Sequence, residues 1–153
     1  PDGVSASYRV IADALVAGLA AFGLAAAVAP AATRPGRSPA CFASGTRADL
    51  VVGARKVVGS AQVRRAGAVL QHGTIYLKRP AGLAARLLPD ERDVADLASL
   101  AGREPGWAEV RDALAAGVLA AFATTGAWGE PLASERAHAA RRRDDFTVKS
   151  IST

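Results

Sequence analysis

The sequence predicts a mixed α/β (α+β) domain, a largely antiparallel sheet flanked by helices. Three observations point there. Apolar residues near the N-terminus recur at helical spacing. Residues 49–77 are rich in valine and wrap around one tight turn, and a second helical stripe runs from Trp107 to Phe122. The order helix, strands, helices favours such a domain over a helix bundle. The chain has 153 residues, enough for one domain with its own core. Half are hydrophobic and 22% are charged, which marks a globular chain rather than a disordered one.

Each element has its own local signal. Tyr8, Ile11, Leu15, Leu19 and Phe22 form one stripe, so a first helix should run to about Phe22, with Ser5 or Ser7 as its cap and Gly23 as its stop. Leu24 to Val28 reads as a short strand. Residues 30–40, "PAATRPGRSPA", are Pro/Gly-rich and basic and read as an exposed loop ending at Cys41-Phe42. A strand near Asp49 to Val52 precedes a hairpin. Its arms are Arg55 to Val63 and Ala68 to Leu77, joined by a turn through Arg64-Arg65-Ala66-Gly67, where Gly67 supplies the positive φ. Beyond Pro80 the pattern becomes helical. Short helices are expected over 82–88 and 93–100. A long amphipathic one carries Trp107, Val110, Leu114, Val118 and Phe122, and a last runs from Ser134 to Arg143. No internal repeat is present.

Charge and cysteine content narrow the function classes. The net charge is +5, of which residues 136–149 carry +3 (five basic, two acidic). There is no aromatic–basic stripe, no zinc spacing and no helix-turn-helix, so the excess reads as a solvated tail rather than a nucleic-acid surface. A mild positive field favours acidic partners. The single cysteine, Cys41, excludes an internal disulfide framework and suits the reducing cytoplasm. Residues 14–32 carry no charge, but their helical stripe and Pro30 favour a core-packed helix and a short strand over a membrane span or targeting segment. The sequence contains no methionine, which fits a fragment or a processed product.

Lys56 is one of only three lysines, and it stands inside a strand. By simple alternation it shares a face with Val58, Ser60 and Gln62, and the four-residue turn would set it opposite Ile75, with Val58 opposite Gly73 and Ser60 opposite Gln71. The small residues Gly59-Ser60-Ala61 leave headroom for a ligand or another backbone. Alternatively, the lysine stem packs while its ammonium reaches the rim. Cys41 precedes Lys56 by 15 residues. It is either a small buried hydrophobe or a nucleophile whose thiolate a nearby ammonium favours. A thiolate can take an acyl group from a thioester and pass it to an amine. His72 is either a base or a structural strand histidine, and His138 in the arginine-rich tail belongs to the surface.

These residues carry a family resemblance. "CFASGTRADLVVGARKVVGSAQVRRAGAVLQHGTIYL" (41–77) resembles the core of the lipoate–protein ligase and octanoyltransferase family, within the biotin/lipoate ligase superfamily. "RKVVGSAQ" is similar to its lysine-glycine-small-residue segment and "LQHGTIYL" to its His-Gly strand. "SYRVIADALVAGLAAFGL" and "LAGREPGWAEVRDALAAGVLAAF" match in kind and order, so residues 4–125 are covered. "SPACF" resembles the loop cysteine of the Gram-positive-type octanoyl-acyl-carrier-protein:protein octanoyltransferase branch. The family's Arg-Arg-x-x-Gly-Gly-Gly-x-Val-x-His loop, which lies further upstream, is not in this sequence.

The resemblance implies a partial biotin/lipoate ligase-like catalytic domain. Residues 1–100 would form its rear part, 101–143 C-terminal helices packed on it, and 144–153 a tail. It implies catalytic roles for Cys41, as acyl carrier, and Lys56, which would bind the acyl carbonyl and stabilise the developing oxyanion. Gly59, Ser60, Ala61, Gln71, His72 and Gly73 would line the substrate site. Acyl carrier protein and lipoyl domains would be the partners, with a separate chain or an upstream segment completing the site. No metal or cofactor is needed for thioester transfer. The alternatives are an ATP-dependent lipoate ligase, using lipoate, ATP and Mg, or a non-catalytic fragment that binds carrier or lipoyl domains.

Overall fold

The computed structural model describes residues 3–30, 49–80, 82, 86 and 93–146. Cys41, most of the helix expected over 82–88, and residues 147–153 lie outside them. The first helix, α1, spans Val4–Ala20. Gly3 is its cap, not Ser5 or Ser7. Ser7 sits inside the first turn, and its hydroxyl turns back onto the Val4 carbonyl (2.9 Å), the local competition that makes serine a poor interior residue. The chain leaves α1 through Gly23, whose φ of +72° is cheap only for glycine.

Four strands follow: β1 (Ala26–Val28), β2 (Leu50–Val52), β3 (Arg55–Arg65) and β4 (Ala68–Thr74). They pair antiparallel in the order β1-β2-β3-β4. The β3–β4 turn is shorter than the sequence suggests. Arg65 pairs with Ala68, so only Ala66 and Gly67 turn, both at positive φ (+50° and +78°), as a tight primed turn requires. Ala66 gives no warning of this, because alanine rarely adopts that conformation. The register therefore moves by two residues from the expected one: Ser60 faces Gly73, Ala61 faces His72 and Gln62 faces Gln71. A shift of two keeps each side chain on its face.

β3 is also irregular at its start. Val51 pairs with Lys56 but Leu50 with Val58, so Val57 is an extra residue, a β-bulge. Strict alternation fails there, and Val57 and Val58 are both buried. Lys56 does not face Ile75. It lies between β2 and residues 93–95, whose backbone it engages on both sides: Lys56 N–H donates to the Asp93 carbonyl (2.7 Å) and Ala95 N–H to the Lys56 carbonyl (2.8 Å). This long-range pairing overrides the helix expected from Asp93. The helix α2 spans only Leu97–Ala101, capped by Asp96, whose carboxylate accepts from Ser99 N–H (2.7 Å).

The helix α3 spans Trp107–Ala121 and packs on α1 through small residues. A Cβ on Gly18 would lie 2.9 Å from the Ala113 carbonyl oxygen, and one on Gly117 would land against that of Ala14. This close approach sets the rotation of α3. Val110 and Gly117 are buried and Leu114 packs against the core, while Trp107, Val118 and Phe122 stay exposed. The core itself gathers Leu19, Leu24, Leu50, Val57, Val58, Leu97 and Val110 between α1, the sheet, α2 and α3. The last helix, α4 (Ala133–Arg141), begins at Leu132, whose N–H donates to Glu135 (2.6 Å), and all its residues are exposed. A short 3-10 turn, Arg143–Phe146, follows. No helix among the described residues is long and apolar enough to cross a membrane.

Candidate active site

The bulge in β3 places Lys56 where a surface lysine would not go. The residue is only 7% exposed, and a buried ammonium is costly unless paired. Its partner is Asp49, the residue just before β2, 1% exposed, with Oδ2 at 3.0 Å from Lys56 Nζ. Its other oxygen, Oδ1, accepts from the Ser60 backbone N–H at 3.2 Å. One carboxylate thus ties the lysine to the glycine–serine segment four residues along the same strand. Such an arrangement holds a positive charge at a fixed point of a largely dry surface, suited to an oxygen that gains negative charge during reaction.

Asp49 is the residue that sequence reasoning misses. One signal was available: a lone acid immediately before an apolar strand, seven residues from the strand lysine.

The remaining predicted residues divide. Gly59 is buried and Ser60 half-buried beside the pair. Gly73 lies opposite Ser60, and a Cβ there would stand 2.5 Å from the Gly59 carbonyl oxygen, so close backbone approach accounts for this glycine. Ala61 and its partner His72 are exposed, on the face opposite to Gln62 and Gln71. Gln71 and His72 therefore do not line the same side of the hairpin.

The Gln face is a directed chain of donors. Arg64 donates through Nε to Gln62 Oε1 (3.0 Å) and through Nη2 to Ser7 Oγ (2.5 Å) and the Gly3 carbonyl (2.8 Å). Gln62 Nε2 then donates to Gln71 Oε1 (2.9 Å). A guanidinium only donates, so it fixes both amide orientations. Gln71 Nε2 is buried and has no hydrogen-bond partner among the described residues. The network pins the hairpin to the start of α1.

The sequence and the fold match known proteins. The model of the lipoyl protein ligase A/B catalytic domain matches residues 1–119. The chain belongs to that family. Among its relatives is Octanoyltransferase LipM of Symbiobacterium thermophilum, 41% identical over 144 residues, covering 82% of this chain and 53% of the relative. Another is Octanoyltransferase LipM of Kyrpidia tusciae, 38% identical over 159 residues, covering 89% and 57%. The chain thus spans about half the length of these curated relatives. In fold it resembles a structure described as a lipoate protein ligase of T. acidophilum with bound lipoic acid. The TM-score is 0.78 at 21% identity, over 95% of this chain and 56% of that one. The lipoate ligase-like α/β fold that the resemblance implies is therefore present, and the relatives are octanoyltransferases of the branch that "SPACF" suggested.

Proposed function

We propose that this chain is the lysine- and cysteine-bearing part of an octanoyltransferase acting in protein lipoylation. The observation that carries the reading is the buried Lys56–Asp49 pair, tied to the Ser60 amide, in a chain 41% identical to an octanoyltransferase. Cys41 thiolate attacks the thioester carbonyl of octanoyl-acyl carrier protein and forms a new thioester as the carrier leaves as a thiolate. The neutral amine of a lipoyl-domain lysine then attacks that thioester and forms the amide as the C–S bond breaks, and the proton the amine gives up passes to the departing sulfur of Cys41. In both steps the Lys56 ammonium donates to the carbonyl oxygen as it becomes an oxyanion. Gly59, Ser60 and Gly73 line the site beside it, with Ala61, Gln71 and His72 on the adjoining hairpin.

Charge supports the choice of partners. Between Asp49 and Asp90 the chain has no acidic residue and, besides the buried Lys56, six basic ones, at positions 55, 64, 65, 78, 79 and 86. A surface of that sign attracts acidic carrier and lipoyl domains.

The test is transfer of octanoyl to an apo lipoyl domain by the full-length protein carrying this chain, with Cys41→Ser and Lys56→Met variants. Cys41→Ser should abolish transfer, and Lys56→Met should slow it severely. Modification that needs lipoate and ATP and survives Cys41→Ser would overturn the reading in favour of adenylation. Binding of either domain without turnover would reduce the chain to a docking module.

A further inference from the structure

The position proposed for Lys56 carries a chemical hazard. A nitrogen close enough to hydrogen-bond a thioester oxygen is also within a few ångströms of the carbonyl carbon, near attack distance. As a neutral amine, Lys56 would itself be the acyl acceptor. Its nitrogen would bond to the octanoyl carbon, the C–S bond would break, and the thiol would leave with the proton that nitrogen gives up. The product, an octanoyl amide on Lys56, would end the catalytic cycle. Solvation cannot protect the residue, because it is nearly fully buried and its charge depends on a partner.

We infer that Asp49 is a positioning residue that keeps Lys56 a cation, so that it polarises the acyl group instead of capturing it. This rests on the acyl-transfer reading above. The carboxylate at 3.0 Å compensates the buried ammonium, and its second oxygen is fixed by the Ser60 N–H, so it cannot swing away without breaking a second bond. Asp49 also directs one ammonium proton toward itself, which fixes the orientation of the remaining two.

The rarity of lysine makes the test clean. Lys78 is exposed and lies in the same chain, an internal standard for Lys56. Trace labelling with N-acetoxysuccinimide, read by peptide mass spectrometry, gives the Lys56/Lys78 reactivity ratio below the melting transition. Asp49→Asn, or Asp49→Ser if the first does not fold, should raise the ratio about ten-fold or more, since losing a counterion at this distance outweighs one factor of ten. Val57→Ala loosens the neighbouring core but keeps the carboxylate, and should leave the ratio near that of the unaltered protein. In a second arm, octanoyl-N-acetylcysteamine should leave a hydroxylamine-resistant octanoyl group on Lys56 in the Asp49 variants only.

An unchanged ratio, an equal rise with Val57→Ala, or no octanoyl amide on Lys56 would each overturn the inference. The labelling arm needs no transfer activity, so its result is independent of the functional reading. Absence of octanoyl on Cys41 in the unaltered protein would count against that reading alone.

Discussion

Replacing Asp49 by asparagine keeps the shape of the side chain, and an acceptor for the Ser60 N–H, but removes the charge that faces Lys56. The two side chains are 9% and 2% exposed and 3.0 Å apart. At an effective dielectric of about 20, the attraction at that distance is about 5 kcal/mol. Breaking a buried pair from one side costs about 3–5 kcal/mol, because the remaining charge stays buried. The edge of exposure at Lys56 and the acceptor retained by asparagine place the expected loss near the lower limit, about 3 kcal/mol. For a chain of this length that is about 6–12 °C in Tm. Urea unfolding followed by circular dichroism reads it as a lower midpoint at unchanged slope. Lys56→Met should be comparably damaging. The Asp49→Asn/Lys56→Met double variant should recover about 2 kcal/mol or more of the summed loss, because no lone charge is left. A single Asp49→Asn loss within about 0.5 kcal/mol of zero, or strictly additive losses in the cycle, would refute the claim that this pair is a coupled buried unit.

Other expectations concern the frame around the site. Gly117→Ala should cost about 1–3 kcal/mol, read by thermal unfolding, since its Cβ would push α3 off the Ala14 carbonyl. Ala66→Asn should do the opposite, raising stability by about 0.5–1 kcal/mol in urea titration, because asparagine tolerates a φ of +50° better than alanine. Burial pushes the Asp96 carboxyl upward, but the N–H groups of Ser99 and Arg79 outweigh this and hold it below its ordinary value. Its folded value is thus the depressed one, so its stabilisation is present above the ordinary carboxylate range and is lost as pH falls through the folded value. Asp96→Ala should accordingly cost about 1 kcal/mol at neutral pH, and the gap to the unaltered protein should close in acid, as paired unfolding curves at pH 7 and pH 2.5 would show.

Local chemistry made much of the fold legible. The helical stripe before Gly23, the valine-rich hairpin and the helical stripe that begins at Trp107 each read correctly as an element, because each is set by side-chain period or a turn residue within a few positions. What escaped was set by distant partners. The bulge at Val57 leaves no mark in a run of two valines, and the 93–95 segment becomes extended only because Lys56 offers its backbone. The outward turn of Val118 and Phe122 follows from two glycines a hundred residues apart meeting at the α1–α3 crossing. At the site, Lys56 could be singled out from the sequence because a lysine among strand valines is anomalous. Asp49 left only a weak signal, a lone acid before an apolar strand, because the bulge and the strand pairing that bring its carboxylate to that lysine are not written in the residues beside it. The most specific part of the family resemblance, the lysine-glycine-small-residue segment and the His-Gly strand, lies in the same hairpin that the sheet organises beside the pair.

The proposed passage of an acyl group through Cys41, with Lys56 polarising it, leaves a covalent trace. Intact-mass spectrometry of the full-length protein after brief incubation with octanoyl-acyl carrier protein reads that trace. One octanoyl adduct is expected, removed by hydroxylamine, absent from Cys41→Ser and formed far more slowly by Lys56→Met. An adduct that persists in Cys41→Ser, or one that Lys56→Met forms at the ordinary rate, would contradict it.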